Sequence, residues 1–243
     1  MANTPAPARP LATITLGDEA VVLWTALYGG TILHLHGSSI FWAEGVRCLW
    51  NKGGHTLNEQ IRSTIREVEE FIKGREDALP IPRDAGEFVY AMLRATGARY
   101  GVEIGTSYGY SGLWAAAALS QSGGTLITID HDSHKHEVAS RFFAAAGLAE
   151  VVRCECGRAI DVLKRIEGPI DYLLNDADKE NCIRYVEAVL DKLSPRAVIL
   201  TDNTLTHEHQ LAAFCAWIRN RPDFASAAVP VGNGMELSVY GGS

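Results

Sequence analysis

From residue 100 to residue 201 the chain alternates short apolar runs with amphipathic stretches of helical period, and this alternation constrains its fold more than any other feature. Residues 100–104, 125–129, 151–156, 170–174 and 198–201 read as strands, and 111–119, 134–145, 159–166 and 182–193 as the helices between them. Such alternation builds a parallel sheet covered on both faces, whose strands are apolar throughout because both faces are buried. The chain is therefore expected to be an α/β protein, doubly wound and mostly parallel. After a last helix over 211–218, two strands near 227–231 and 236–240 flank Gly232-Asn233-Gly234. An Asn-Gly turn between alternating apolar runs is a hairpin signal, so the sheet should end on an antiparallel strand.

Two helices precede this core. Ile61, Ile65, Val68, Phe71 and Ile72 recur at helical spacing before Gly74. Leu79-Pro80-Ile81-Pro82 is a rigid extended connector, and Asp84 is placed to cap a second helix that runs through Phe88, Val89, Met92 and Leu93 to Gly97. With 243 residues and 47% hydrophobic content, the chain can bury one sizeable core and carry an extension. The boundaries are placed at 1–56 for the extension and 57–243 for the main domain.

The extension is less legible. Residues 1–10 are rich in Pro and Ala and read as disordered. Residues 20–43 contain no Asp, Glu, Lys or Arg, but Gly29-Gly30, His34, His36 and Gly37-Ser38-Ser39 interrupt them, which disfavours a membrane span. The basic region of a signal peptide is nearly absent. Residues 31–36 alternate like a strand, with 37–39 as a turn, so a small strand-bearing extension is expected. His34 and His36 are metal-ligand candidates by their alternate spacing, against the plainer reading of a half-exposed strand face. A further reading puts residues 1 to about 56 upstream of the true start.

The formal net charge of −7, without a long basic run, argues against a large phosphate-binding surface. Five cysteines are odd in number and lack zinc-site spacing. Cys154 and Cys156 are expected as buried free thiols, and a reducing, cytoplasmic setting follows.

The chemistry gathers at strand ends. Asn175-Asp176-Ala177-Asp178-Lys179 follows one apolar run and Thr201-Asp202-Asn203 closes the next. Carboxylates and an amide at the ends of neighbouring strands can supply oxygen ligands to one divalent cation, and a lysine beside it can act as a base. The plainer readings are a helix cap at Asp176, a turn at Asp202-Asn203, and an ion pair of Lys179 with Glu180 or Asp178. A third strand ends in Glu103-Ile104-Gly105-Thr106-Ser107-Tyr108-Gly109-Tyr110-Ser111-Gly112. The loop lets a ligand approach the backbone ahead of a helix N-terminus, but its Gly-x-x-x-Gly-x-x-Gly spacing differs from that of dinucleotide folds. Glu103 would repel a pyrophosphate and suits a ligand with a cationic amino group, while Asp130 is placed to accept ribose hydroxyls. Together they describe adenosine joined to an amino acid. His131, His134, His136, His207 and His209 lack the spacing that puts two ligands on one helical face and read as surface residues, with His207 near enough to Asn203 to border a substrate mouth.

In combination, Val102–Ser111, Ile127–Asp130, Asn175–Lys179 and Thr201–Asn203 resemble the cation-dependent O-methyltransferases of the catechol and caffeoyl-CoA types, from about residue 81 onwards. The resemblance implies a seven-stranded sheet in the order 3-2-1-4-5-7-6 and S-adenosylmethionine as cofactor. It assigns Glu103 and the Gly105-Thr106 backbone to the methionine and ribose portions, Ser111 to the methionine carboxylate and Asp130 to the ribose. Gly157, Arg158 and Ala159 would border the adenine, and Asp178 would contact cofactor or substrate. Asp176, Asp202 and Asn203 would bind the cation, with Mg²⁺ leading and Mn²⁺ or Ca²⁺ as alternatives. Lys179, beside Asp176, would be the catalytic base. Asn175 departs from the family, where an apolar residue is usual. The implied activity is O-methylation of a catechol-like or vicinally oxygenated small molecule. The alternatives are a tRNA hydroxyuridine O-methyltransferase, which the acidic balance disfavours, and a non-catalytic cofactor-binding protein. Relatives often dimerise, which leaves a homodimer open here.

Overall fold

The computed structural model describes residues 57–241, together with the backbone of four strands in the N-terminal segment. The chain separates into two compact units, 1–56 and 57–243. In the first, β1 (Ala12–Leu16), β2 (Glu19–Thr25), β3 (Thr31–Leu35) and β4 (Ser38–Ser39) form an antiparallel sheet in sequence order. Ser38 and Ser39, expected in a turn, pair with Leu35 and His34 as a short strand. The expectations for residues 1–10 and for the His34 and His36 side chains fall outside the described residues, as does Cys48. Among the described residues no helix is long and apolar enough to cross a membrane.

The second unit opens with α1 (Glu59–Ile72), capped by the Asn58 side chain, which accepts from Ile61 N at 2.8 Å. Ile61, Ile65 and Val68 form its buried stripe. α2 (Arg83–Thr96) begins directly after Pro82, and the expected Asp84 cap is not made. Asp84 accepts instead from Ala85 N at 2.9 Å and from Gly232 N at 3.2 Å, tying α2 to the C-terminal loop.

The alternating core follows: β5 (Tyr100–Ile104), α3 (Tyr110–Gln121), β6 (Thr125–Asp130), α4 (Ser133–Ala145), β7 (Val152–Cys156), α5 (Ala159–Arg165) and β8 (Ile170–Asn175). It closes with α6 (Cys182–Glu187), β9 (Leu193–Asp202), α7 (Glu208–Arg219), β10 (Phe224–Val229) and β11 (Met235–Tyr240). The sheet order is β10-β11-β9-β8-β5-β6-β7. Strands β7, β6, β5, β8 and β9 pair in parallel, whereas β11 runs antiparallel to both β9 and β10. Counted from β5, this is the order 3-2-1-4-5-7-6 with the last strand antiparallel, as expected.

Successive strand residues feed opposite layers. Tyr172 and Leu174 pack with Ile61, Val89, Leu113 and Phe143 of α1 to α4 on one face. Leu173 packs with Val162, Val186, Leu211 and Phe214 of α5 to α7 on the other. Each such fully buried aliphatic or aromatic side chain contributes about 1.5–3 kcal/mol over its exposed state. Glu236 of β11 is fully buried, and Arg219 of α7 meets it in a two-pronged pair, Nε to Oε1 at 2.7 Å and Nη2 to Oε2 at 2.5 Å.

Three expectations need correction. The helix expected over 182–193 is only α6, because residues 179–181 and 190–192 form 3₁₀ turns. The strand expected over 198–201 is the longer β9, whose first half is broken by Pro195 and by Arg196 at φ 68, so the pairing jumps from Ile170↔Leu193 to Tyr172↔Val198. The terminal hairpin turns over residues 230–234, since Pro230 has no N–H for the ladder and β10 ends at Val229, opposite Met235.

The thiols also differ from expectation. Cys182 is buried, but Cys154 and Cys215 are half-buried and Cys156, at the end of the edge strand β7, is exposed; all four are free.

Candidate active site

Parallel strands bring their carboxyl ends to one edge of the sheet, and ligands bind there in open α/β folds. A cleft of about 470 Å³ opens at this edge. Gly105, Thr106 and Ser111 contribute to it from the β5–α3 segment, and Asp130 from the end of β6. Gly157, Arg158 and Ala159 enter from beyond β7, and Asp176 and Asp178 from beyond β8. The expected cofactor residues therefore meet in one cleft, with one exception. Glu103 does not open onto it: the side chain is fully buried beneath the loop.

The loop's shape follows from its glycine. Gly105 has φ 104, and a Cβ there would lie 2.3 Å from the Asp176 carbonyl oxygen, so only glycine lets the two segments touch. Gly105 N and Thr106 N both donate to Ile129 O, at 2.9 and 3.1 Å. Their N–H groups are thus committed to the scaffold. Ser107 N and Asp132 N donate to the two oxygens of Asp130, at 2.7 and 3.0 Å, which fixes that carboxylate at the cleft wall with lone pairs to spare.

Below the loop, Glu103 accepts from Ser111 Oγ and from Thr128 Oγ1, each at 2.5 Å, and Thr128 Oγ1 lies 2.6 Å from Thr106 Oγ1. Burial pushes the Glu103 carboxyl up to about 7, against the two hydroxyl bonds that favour its charged form. Gly112 leaves room for it, since a Cβ at that position would stand 2.9 Å from Glu103 Oε2.

The second cluster lies at the ends of β8 and β9, where Asn175 pairs with Thr201 in register. The next residues, Asp176 and Asp202, therefore end adjacent strands. Lys179 Nζ donates to Asp176 Oδ1 at 2.9 Å, and both side chains are 13% exposed. The plainer ion pair of Lys179 with Glu180 or Asp178 is not the one formed. Asp178 turns away, accepting from Tyr185 OH at 2.5 Å and from Asn181 Nδ2. Its carboxyl titrates below the usual range, because these bonds outweigh the effect of burial.

Burial also raises the Asp176 carboxyl, with the Asp202 charge adding to the rise and Lys179 opposing it. Asp202 is raised by burial too, against bonds from Asn203 N and the Asn233 side chain. Asp202 Oδ1 is buried and has no hydrogen-bond partner. An orphaned carboxylate oxygen beside a second carboxylate is costly unless a cation completes it. Asn203, at φ 70, places an amide next in the chain. This oxygen-rich set fits a hard divalent cation. Among the described residues no group of three His, Cys, Asp or Glu side chains could hold a metal, so a cation here would draw on the amide as well.

Two contributors went unread in the sequence. Asn233 reaches Asp202 from the terminal loop, and Thr128 joins Glu103 to Thr106. Neither left a local signal, since each acts through a strand pairing distant in sequence. His207 is exposed at the start of α7, with its N–H on Asn203 O at 2.8 Å, and His136 bonds Cys154 O at 3.0 Å.

Comparison with known proteins finds likeness in both sequence and fold. The O-methyltransferase family model matches residues 56–216. A catechol O-methyltransferase of Niastella koreensis is 33% identical over 169 residues, covering 61% of this chain and 76% of that protein. A catechol O-methyltransferase of Mycobacterium tuberculosis is 34% identical over 135 residues, covering 53% of this chain and 61% of that protein. The crystal structure of an O-methyltransferase from Bacillus cereus in complex with SAH aligns with TM-score 0.67 at 28% identity, over 73% of this chain and 90% of that one.

Proposed function

The chain belongs to the O-methyltransferase family, and from that membership we propose that it moves a methyl group from S-adenosylmethionine to a hydroxyl of a catechol-like or vicinally oxygenated small molecule, with a divalent cation at Asp176, Asp202 and Asn203. The observation that carries the cation is the buried, unpartnered Asp202 Oδ1 beside the Asp176–Lys179 pair. The methyl donor is supported by the cleft that joins the Gly105 loop, Asp130 and the Gly157 turn, and by the SAH complex of the Bacillus cereus relative. The acceptor class is supported by the names of the curated relatives.

When bound, the cation stabilises the acceptor oxyanion, and the sulfonium supplies an electrophilic methyl group. The chain's own residues arrange the encounter. Lys179 lies on the turn after Asp176, where its Nζ can take the hydroxyl proton as the oxygen becomes a nucleophile. Asp130 holds ribose hydroxyls at the far wall, and the Gly105 contact with Asp176 sets donor and acceptor regions side by side. A cytoplasmic setting fits the free thiols, Cys156 above all, which is exposed.

The test is transfer of labelled methyl from S-adenosylmethionine to a panel of catechols and to bulk tRNA. Labelled catechol products support the reading. Label only in tRNA, or binding of S-adenosylmethionine without transfer to any acceptor, overturns it.

A further inference from the structure

We propose that Asn175 is a positioning residue: its side-chain amide closes the turn of residues 176–181 and so holds Asp176 and Lys179 in place beside Asp202. The proposal rests on the cation reading above and adds to it a residue that touches neither cation nor substrate.

Asn175 is the last residue of β8, and its side chain is fully buried. Its Nδ2 donates to Cys182 O at 3.1 Å, and Cys182 opens α6. A carbonyl can only accept, so the amino group of the amide must face Cys182, which fixes how the side chain is turned. One hydrogen bond therefore joins the two ends of the segment that carries Asp176 and Lys179. The root of this segment is tied also by Asp176 N, which donates to Ile104 O at 3.1 Å. Its outer part is tied through Asp178, which accepts from Tyr185 OH of α6 at 2.5 Å. The turn is thus only as well placed as the junction between β8 and α6, and Asn175 makes that junction.

The amide is a poor choice for stability alone. Strand residues alternate between layers, so Asn175 follows Leu173, and Thr201 follows Ile199, onto the α5–α7 side. The two are register partners, and Asn175 Oδ1 and Thr201 Oγ1 are both buried without a hydrogen-bond partner. A buried carbonyl oxygen left unmet weakens a fold, and an apolar side chain of similar size would remove it. Asn175 nevertheless stands where an orienting group would act, since Asp176 and Asp202 are the next residues of the same two strands. Groups that orient metal ligands from behind typically change metal affinity by about 10–100-fold when lost. Asn175 acts on Asp176 in this way through the backbone.

Asn175→Leu in the full chain tests this, because leucine has nearly the same size and makes no hydrogen bond. Cys182 O keeps its place in the ladder of α6, so the substitution strands no acceptor. Hydrogen–deuterium exchange of the chelated protein should speed up over residues 176–182. Mn²⁺ affinity, read by calorimetry with S-adenosylhomocysteine bound, should fall about ten-fold. S-adenosylhomocysteine affinity should not change, and the urea midpoint should hold or rise, since an unmet buried oxygen has gone. A lowered midpoint with weaker binding of both ligands would make Asn175 an ordinary core contact and overturn the proposal. Unchanged exchange would overturn it as well, and so would faster exchange with Mn²⁺ affinity intact. If the unaltered protein binds no Mn²⁺, the cation reading itself fails and the proposal with it.

Discussion

Gly105 and Asp176 meet backbone to backbone: a Cβ on the first would stand 2.3 Å from the carbonyl oxygen of the second. The loop that would cradle one ligand is thus pressed against the residue that would hold the other. Gly105→Ala must move one segment or both, and it places alanine at φ 104 as well. The expected cost in fold stability is about 1–3 kcal/mol. S-adenosylhomocysteine affinity should fall at least ten-fold, the equivalent of about 1.4 kcal/mol. Calorimetry and chemical denaturation on the same variant check both, and unchanged binding would contradict the contact.

Lys179 is one 2.9 Å hydrogen bond away from Asp176 and is little exposed. Lys179→Gln keeps a donor near Asp176 but removes the proposed base. Methyl transfer should slow by about 10²–10⁴-fold, the range for loss of a general base, with S-adenosylhomocysteine binding retained. Steady-state kinetics paired with calorimetry separates this from misfolding, which would lower both.

Glu103 binds protons differently in the folded and unfolded chain. Burial raises its carboxyl from the ordinary 4.5 to about 7, so between those values the folded protein holds a proton that the unfolded chain has released. The raised group contributes stability that is complete below about 4.5 and lost as pH rises through about 7. Its contribution to the slope is at most about 1.4 kcal/mol per pH unit. Urea denaturation of the ligand-free, chelated protein should become easier across this window, and Glu103→Gln should flatten the dependence. Asp176 and Asp202 are raised as well and remain in both proteins, so the difference between them isolates Glu103. Equal slopes for the two would contradict the assignment.

Glu236 is wholly buried and depends on Arg219, which is itself half exposed. Arg219→Ala strands a charge in the core between α7 and β11. The expected loss is about 2–3 kcal/mol, toward the low end for broken buried pairs because solvent already reaches the guanidinium. Arg219→Ala with Glu236→Gln should recover part of it, read by the shift in denaturation midpoint.

The legible parts of the sequence were those governed by burial on both faces. Ile170 to Leu174 could be read as a strand because layers of helices cover both its sides, leaving no polar position to confuse the period. The first half of β9 was not legible, since Ser194, Pro195 and Arg196 look like a loop and stay in the strand through a break in its pairing and a 2.6 Å bond from Ser194 Oγ to Asp171. At the site, Asp176, Lys179 and Asp202 could be read from their place after apolar runs. The direction of Glu103 could not. It faces the α1–α4 layer because it alternates with Val102 and Ile104, which pack on the opposite layer, so the residue that seemed to address a ligand directly is enclosed by Ser111 and Thr128.

Metal dependence tests the central claim most directly. Methyl transfer to a catechol should be measured in the chelated protein, again after Mg²⁺ is restored, and in Asp202→Ala across a Mg²⁺ titration. The expected result is activity lost on chelation, recovered with Mg²⁺ and absent from Asp202→Ala at every concentration, while S-adenosylhomocysteine still binds. Transfer that is indifferent both to chelator and to Asp202→Ala would contradict a cation at the ends of β8 and β9.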